Sequence, residues 1–459
     1  MTSGAIIQAM AQVIAFRPWL YDTSVAGPLD RLVAPPYDVI SPDLQTELYQ
    51  RSPYNVVRVD LNREPGDRRY QEAARALAAW KEQGALRRAT EPQVTVVEET
   101  FVGPDGHGRV RKGVLALLRL ADFNQGVVFP HEFTLSGPKE DRFRLLEATT
   151  TGLSPIFLLY SRPDDAIMAA WSRQVNRPPD ATLAAPAVRE DGGQREIIRL
   201  WHTTNPSFLA TLSTALSKQP LIIADGHHRY ETALRYRDTK RAATADEIDD
   251  APYEYVLAYL VNMSDPGLAI FGTHRLLHDI PRAVLATLPH CLTPYFAVEQ
   301  VADSSTEAGP ALRAFLERQQ EHSSTAESTP TVFGLYIADT KDAYGLVLRP
   351  DAALLGHAAS AVSRVLDVTV LQEVVLERCL GVSSEQVAAG AHVTFVKEWD
   401  EALQRLVDGS HQVGFFLNPT RLEQVHTMAL GGERMPQKST YFYPKLPTGL
   451  LFQDLADGI

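Results

Sequence analysis

The chain has 459 residues, of which 45% are hydrophobic and 22% are charged, and its formal net charge is −12. This length and composition predict a globular protein of two or three domains and exclude a wholly disordered or fibrous chain. The acidic balance argues against a protein that coats nucleic acid, because such binding needs a basic face, so we expect no nucleic-acid partner.

The cysteine content and the N-terminal residues bear on the cellular compartment. Cys291 and Cys379 are the two cysteines, far apart and without the CxxC spacing of a zinc site. We therefore expect free, buried thiols in a reducing compartment. The start of the chain lacks the charge pattern and cleavage site of a signal peptide, and no apolar run of about 18 residues occurs. These observations predict a cytoplasmic protein without a membrane partner.

The first hundred or so residues predict short elements separated by turns. In "APPYDVIS" the double proline stiffens the approach to Tyr37 and Asp38, which suits either a loop that must hold its shape or a simple helix entry. The alternation in "NVVRVDL", residues 55–61, predicts a strand. A helix follows from Asp67 to Gly84, and "QVTVVEETFV" and "KGVLALLRL" then predict a β-hairpin.

The stretch "HEFTLSGPKEDRFRLL" carries the first candidate site. His131 and Glu132 precede, by one loop, a helix expected to begin near Lys139 and to include Arg142. A solvated charged face explains this pattern as well as a site does. If the stretch contributes to a site, Lys139 or Arg142 is a phosphate contact and Glu132 is a candidate base.

The stretch "LIIADGHHRYETAL" joins a buried strand to a helix and has the strongest chemical signal. Asp225 and Gly226 stand at the junction, and His227, His228 and Arg229 open the helix. The unpaired N–H groups of a helix start attract an anion, Arg229 adds a fork suited to phosphate, and Gly226 lets the backbone approach a ligand. A turn in which Asp225 simply caps the helix is the alternative.

Two stretches of the C-terminal half add candidates. "GTHRLL" places His274 and Arg275 at the end of a strand. In "MPQKSTYFYPKL", Lys438, Ser439 and Thr440 offer ammonium, hydroxyl and N–H donors for a phosphate, although a segment laid over the core explains them equally well. No GxxxxGK[ST] is present, so this is not a P-loop.

Together these elements predict an α+β fold whose core is a mixed β-sheet with inserted helices. We expect a main region over residues 1–280 that holds the DGHHR turn. A second α/β region would cover residues 281–459, with its "MPQKSTYFYPK" segment returning to the main site.

Metal binding is a competing interpretation of the histidines. His131, Glu132, His227, His228 and Asp225 could assemble a site, but "HEFT" lacks the second histidine of HExxH. A magnesium ion that enters with a nucleotide, with Asp225 as a ligand, agrees better with these residues than a tightly bound zinc.

The strings "APPYDVIS", "NVVRVDL", "ADGHHRYETAL", "THRLL", "LDVTVLQE" and "MPQKSTYFYPKLPTGL" resemble a widespread bacterial and archaeal family, the domain of unknown function 1015 family. The DGHHR turn is also similar to the phosphate-binding box of the ParB and sulfiredoxin-like fold and to the motif of its free-serine kinases. That likeness implies a ParB/sulfiredoxin-like strand-turn-helix element. It also implies phosphate binding by Gly226, His227, His228 and Arg229, and a catalytic or metal-positioning role for Asp225. The sulfiredoxin cysteine is absent, because His227 occupies its place.

The residues and the resemblance together predict a phosphotransferase that uses ATP or ADP with Mg²⁺ on a small hydroxylated metabolite such as free serine. Asp225, Glu132 and His227 are the catalytic candidates. The alternatives are a nucleotide-binding switch protein without turnover and a metal-dependent hydrolase.

Overall fold

The structure, a computed structural model, describes residues 10–134, 136–186, 196–244, 249–323, 330–352, 360–364, 366–456 and 458. Part of the N-terminal stretch examined for a signal peptide, residues 1–9, lies outside them. The chain divides into two compact units: a first unit of Met1–Pro130, Thr134–Ala269 and Pro444–Ile459, and a second unit of His131–Phe133 and Ile270–Tyr443. This division differs from the predicted regions in three places: His131–Phe133 and residues 270–280 group with the second unit, and Pro444–Ile459 groups with the first.

The described strands, numbered in chain order, are β1 Val13–Ile14, β2 Trp19–Tyr21, β3 Leu86–Arg88, β4 Val94–Val102, β5 Gly108–Arg119, β6 Val128–Phe129, β7 Thr151–Gly152, β8 Ile156–Tyr160, β9 Ala181–Ala184, β10 Ile197–Thr203, β11 Leu221–Asp225, β12 Tyr255–Asn262, β13 Ala269–Phe271, β14 His274–Leu277, β15 Phe296–Ala302, β16 Val332–Ile337, β17 Asp342–Leu348, β18 Val393–Val396, β19 Val413–Leu417, β20 Tyr441–Tyr443 and β21 Gln453–Asp454.

The α-helices are α1 Thr23–Ala26, α2 Pro42–Arg51, α3 Val57–Asp60, α4 Arg68–Glu82, α5 Ser136–Thr149, α6 Ala166–Gln174, α7 Pro206–Leu216, α8 His227–Ala243, α9 Arg282–Leu292, α10 Ser305–Ser323, α11 Ala361–Arg364, α12 Asp367–Val370, α13 Ser384–Ala388, α14 Trp399–Val407 and α15 Leu422–Leu430. Directly after α12 the chain continues as a π-helix, Leu371–Cys379. No helix in the described part of the chain combines the length and the hydrophobicity needed to cross a bilayer.

The first unit is built on a nine-stranded mixed sheet. Its strand order is β6-β11-β8-β12-β5-β4-β10-β9, and β1 lies along β5. β11 runs parallel to β6, and β12 runs parallel to β8, whereas β4 and β5 form the expected antiparallel hairpin. Buried side chains of β5, β8, β11 and β12 pack with those of α6, α7 and α8 in one core. The prediction of an α+β fold with a mixed sheet is confirmed.

The second unit has its own sheet and its own core. Six strands, all paired antiparallel, follow the order β15-β17-β16-β19-β14-β18. Leu312 and Phe315 of α10 and Leu406 of α14 are buried in its core with Leu276 and Phe416 of the sheet. The second unit therefore combines an antiparallel sheet with packed helices.

Two local expectations are wrong. Residues 55–61 form no strand: they contain α3, and Asn55 Oδ1 accepts the N–H of Val57, the first residue of that helix, at 3.0 Å. The alternating valines are buried all the same. Cys291 and Cys379 form a disulfide rather than two free thiols, because α9 and the π-helix bring their Cα atoms to 5.8 Å.

A buried ion pair crosses the middle of the first unit's sheet. Arg111 of β5 donates to Glu99 of β4 through Nε (2.7 Å) and Nη2 (2.8 Å), and both side chains are fully buried. Tyr259 of β12 donates its hydroxyl to the same carboxylate at 2.6 Å. Arg111 Nη2 also donates to the carbonyl oxygen of Pro444 at 2.7 Å. The pair therefore connects the centre of the sheet to the C-terminal segment.

We expect Arg111→Met to lower the free energy of unfolding by about 3 to 5 kcal/mol, because it leaves the Glu99 carboxylate buried without its cation. Urea unfolding measures this change. Arg109→Met on the same strand is the matched control: Arg109 pairs with Asp105 at a partly exposed turn, so its loss should cost at most about 1 kcal/mol. Equal stability of the two variants would contradict the importance of the buried pair.

Candidate functional site

The DGHHR turn has the predicted strand-turn-helix geometry. β11 ends at Asp225, Gly226 follows with φ +95°, and α8 begins at His227. A side chain at Gly226 would be strained at this φ, and its Cβ would lie 3.1 Å from the guanidinium carbon of Arg229. Gly226 brings no side chain to cap the helix, and the first turn of α8 has no acidic residue. The positive end of the helix dipole therefore carries no local carboxylate in that turn.

Four charged side chains form a network behind this turn. Arg229 Nη2 donates to Oδ2 of Asp225 at 2.6 Å, and Arg229 Nη1 donates to the carbonyl oxygen of Pro155. Lys445 Nζ lies 2.9 Å from Oδ1 of Asp225 and donates to Oδ2 of Asp38 at 2.6 Å. Each Asp225 oxygen thus has its own cation, and Lys445 bridges two carboxylates.

The network sets the protonation states of its members. Burial alone would raise the pKa of Asp225, but Lys445 and then Arg229 outweigh burial and hold that pKa well below its usual range. Burial would lower the pKa of Lys445, but Asp225 and Asp38 raise it above its usual range. Asp225 is therefore ionised at all physiological pH values, which makes it a weak proton acceptor.

A mostly apolar pocket opens next to Arg229. We call it the Asp60 pocket. Its polar end has Tyr37, Asp60, Arg142 and Arg229, and its body is formed by apolar residues of α5, α8, β8 and β12 and of the adjoining loops, among them Leu145, Leu146, Leu153, Ile156, Ala233 and Val256. Since Arg229 belongs to both, the pocket is continuous with the DGHHR turn.

Asp60, a residue of this pocket, has one carboxylate oxygen without a hydrogen-bond partner among the described residues. Arg142 Nη1 donates to Asp60 Oδ1 at 2.8 Å and to the Asp60 carbonyl oxygen at 3.0 Å, while Asp60 Oδ2 is buried and has no partner among the described residues. Burial raises the pKa of Asp60, although Arg142 and Arg229 oppose this effect. A raised pKa and an oxygen that lacks a hydrogen-bond partner suit a carboxyl group that accepts a proton.

Lys139 and Arg142, the two basic residues predicted on α5, both form ion pairs with carboxylates. Arg142 is held by Asp60 and, through Nε at 2.9 Å, by Asp141, and its guanidinium lies 4.1 Å from the centroid of the Tyr37 ring. Lys139 Nζ donates to Glu231 of α8 at 2.8 Å. The first unit thus contains nine of the predicted site residues: Tyr37, Asp38, Lys139, Arg142, Asp225, Gly226, His227, His228 and Arg229.

The remaining seven predicted residues belong to the second unit: His131, Glu132, His274, Arg275, Lys438, Ser439 and Thr440. Several of them hold the "PQKST" segment. Glu132 Oε1 accepts the N–H (2.9 Å) and the hydroxyl (3.1 Å) of Thr440, and His131 Nε2 lies 2.8 Å from the same hydroxyl. Ser439 Oγ donates to the carbonyl oxygen of Pro436 at 2.5 Å. These contacts fix the backbone of the segment.

His274 and Arg275 have different surroundings although they are neighbours in β14. His274 accepts the N–H of Leu417 at 3.3 Å and packs against Phe416 and Trp399, and burial lowers its pKa to about 3. It is a neutral core histidine. Arg275 donates to the carbonyl oxygen of Lys438 at 3.1 Å and is almost fully buried.

Two residues of the site were missed at the sequence level. Asp60 lies in "NVVRVDL", whose alternating valines predict a strand although the residues form a helical turn. Lys445 follows two tyrosines and a proline near the C-terminus, and nothing local indicates that it reaches Asp225 and Asp38.

The residues do not form a metal centre in this arrangement. Within the described ranges there is no group of three or more His, Cys, Asp and Glu side chains placed to hold an ion. Asp225, the predicted magnesium ligand, already has a cation on each oxygen, which disfavours a third. The side chains therefore do not fit a Mg²⁺ ion held by Asp225.

A scan of protein families gives one match, described as "Protein of unknown function (DUF1015)", over residues 13–369. The chain belongs to this family. No curated protein matches the sequence.

Three solved structures match the chain at low sequence identity and low TM-score. A free serine kinase variant in complex with ADP has 10% identity and a TM-score of 0.35, and the match covers 73% of this chain and 88% of the kinase. A conserved hypothetical protein from Pyrococcus furiosus has 12% identity and a TM-score of 0.34, covering 76% and 97% of the two chains. The same kinase type in complex with AMP has 10% identity and a TM-score of 0.34, covering 73% and 88%.

The lowered pKa of Asp225 predicts a specific pH dependence of stability. A carboxyl whose folded pKa lies below its unfolded value, about 3.9, stabilises the protein above that pH, and this stabilisation is lost as the pH falls. Asp225→Asn should therefore give a shallower decline of the free energy of unfolding between about pH 4 and pH 2. Lys445→Met should act in the same direction, because it removes a cation that keeps the pKa low. Urea unfolding at a series of pH values tests both variants. If the free energy of unfolding of either variant declines with pH as steeply as that of the parent, the proposed lowering of the Asp225 pKa by the network is refuted.

Proposed function

We propose that the protein is a nucleotide-dependent phosphotransferase that acts on a hydroxyl group of a small metabolite, with free serine as the first acceptor to test. One observation carries this proposal: Arg229 belongs both to the glycine turn that opens α8 and to the Asp60 pocket. A phosphate at the turn and a hydroxyl in the pocket would then lie on either side of one guanidinium.

The turn supplies the phosphate-binding chemistry. The first N–H groups of α8, together with Arg229, His227 and His228, offer donors at the positive end of a helix of 17 residues. Gly226 lets the phosphate approach the backbone. Asp225 positions Arg229 and Lys445 by ion pairing, and this role replaces that of a base, for which its low pKa is unsuited. ATP or ADP, accompanied by Mg²⁺ from solution, is the proposed donor.

Asp60 supplies the proton acceptor. Its Oδ2 atom has no hydrogen-bond partner among the described residues, and Arg142 holds the carboxylate in place through Oδ1. In the proposed step the acceptor oxygen forms a bond to the terminal phosphorus of the nucleotide. The bond from that phosphorus to the bridging oxygen breaks, the nucleotide leaves with one phosphate fewer, and the hydroxyl proton moves to Asp60.

Nucleotide binding is tested by thermal shift on the whole chain. ATP or ADP should raise the melting temperature of the parent protein, because a ligand that binds only the folded state stabilises it. His228→Ala should remove most of this shift. Arg235→Ala, on an exposed part of the same helix, is the matched control and should keep it. If nucleotide raises the melting temperature of His228→Ala as much as that of the parent, the proposal that the DGHHR turn binds the phosphate is refuted.

Turnover is tested by ADP or AMP formation that depends on an added hydroxylated acceptor, serine first. Asp60→Asn should lower this rate by about 10²- to 10⁴-fold, the range for losing a general base, while the thermal shift with nucleotide persists. A parent protein that binds nucleotide but shows no acceptor-dependent turnover would identify a binding protein without catalysis. Unchanged turnover in Asp60→Asn would refute the role of Asp60.

A further inference from the structure

The second unit contains a mostly apolar pocket that has one cationic residue among its described lining residues. We call it the Arg275 pocket. Leu371 and Leu376 of the π-helix, Val387 of α13 and Phe395 of β18 form part of its wall, and Arg275 of β14 supplies the charge. No acidic residue belongs to the described lining.

Arg275 is buried and has no ion-pair partner among the described residues. Its exposed fraction is 4%, Nη1 donates to the carbonyl oxygen of Thr273, and Nη2 donates to that of Lys438 at 3.1 Å. The guanidinium carbon lies 5.3 Å from the centroid of the Phe395 ring. In the part of the chain that the structure describes, no carboxylate oxygen lies within 4.0 Å of this guanidinium. A buried cation usually pairs with an anion, because removing a charge from water without a partner is energetically costly.

The electrostatics agree with this geometry. Burial lowers the pKa of Arg275 to about 10, and the more distant Glu132 offsets this only in part. The Oε1 atom of Glu132 already accepts the N–H and the hydroxyl of Thr440. The pocket therefore has a positive charge that its own residues leave uncompensated at short range.

The wall of the pocket has an unusual backbone. A π-helix runs from Leu371 to Cys379, and Leu371, Gln372 and Leu376 from it face the pocket. π-helical turns are rare and are frequent at functional sites, because they displace side chains from the positions of a regular helix. The disulfide to Cys291 ties the end of this segment to α9.

We propose that the Arg275 pocket binds a small organic anion with an apolar body, whose carboxylate or phosphate group pairs with Arg275. The anionic group would accept N–H donors that the two carbonyl contacts of Arg275 leave available, and the apolar body would pack against the π-helix and Phe395. This ligand is distinct from the nucleotide and the acceptor of the proposed phosphotransfer. The proposal therefore holds or fails independently of that reaction.

Calorimetric titration of the whole chain with sodium octanoate, octyl phosphate and 1-octanol tests the proposal. The three probes share one apolar body and differ in charge. At least one of the two anions should bind at least tenfold more tightly than 1-octanol. Tighter binding of octanoate identifies a carboxylate ligand, and tighter binding of octyl phosphate identifies a phosphate ester. Equal affinity for all three probes, or no binding of either anion, would overturn the proposal.

Three variants test whether the anion binds in the Arg275 pocket. Arg275→Met should reduce the affinity for the bound anion at least tenfold, whereas Arg378→Met, an exposed arginine of the same π-helix, should leave it unchanged. Ala388→Trp fills the pocket without altering Arg275 and should abolish binding, which provides a second test if Arg275→Met fails to fold. Parent-like affinity in a folded Arg275→Met or Ala388→Trp protein would overturn the proposal.

Discussion

The buried ion pair between Arg111 and Glu99 is the constraint on which the site of the first unit depends. Two buried charges in the middle of a sheet are tolerated only when each is fully paired, and here Tyr259 and the carbonyl of Pro444 complete the pairing. Arg111 donates to the carbonyl oxygen of Pro444, and Lys445 follows Pro444 in the chain. This contact therefore helps to place the Lys445 side chain beside Asp225. Lys445, near the C-terminus, thereby becomes part of the site formed by the DGHHR turn in the middle of the sequence.

The charges behind the DGHHR turn are balanced, and this balance has a consequence for binding. Arg229 and Lys445 offset Asp225 and Asp38, so the network is stable without a ligand. For the proposed function, a phosphate that binds Arg229 shares it with Asp225 rather than capturing a free cation. Such sharing moderates affinity and keeps Arg229 in a fixed orientation, which suits a site that must also release its product.

The elements whose signals are local were predictable. The buried run before Asp225, the glycine and the helical run after it specify the strand-turn-helix element, because the periodicity changes at the one residue that tolerates φ +95°. The β4–β5 hairpin is predictable for the same reason. The strand predicted at "NVVRVDL" was wrong: the backbone forms a helical turn there, and the side chain of Asn55 accepts the N–H of Val57 although apolar residues alternate along the stretch. The disulfide was missed because sequence spacing carries no information about two helices that pack together.

The sequence by itself determined the α+β class, the family, and the turn from Asp225 to Arg229, since composition, periodicity and an uninterrupted motif depend only on neighbouring residues. The tertiary structure decided the partners of that turn. Asp60, Arg142 and Lys445 come from three distant segments, and their roles follow from burial and ion pairing across the fold. Long-range electrostatics assigns a low pKa to Asp225 and a raised one to Asp60, because pairing and desolvation exist only once the chain has folded.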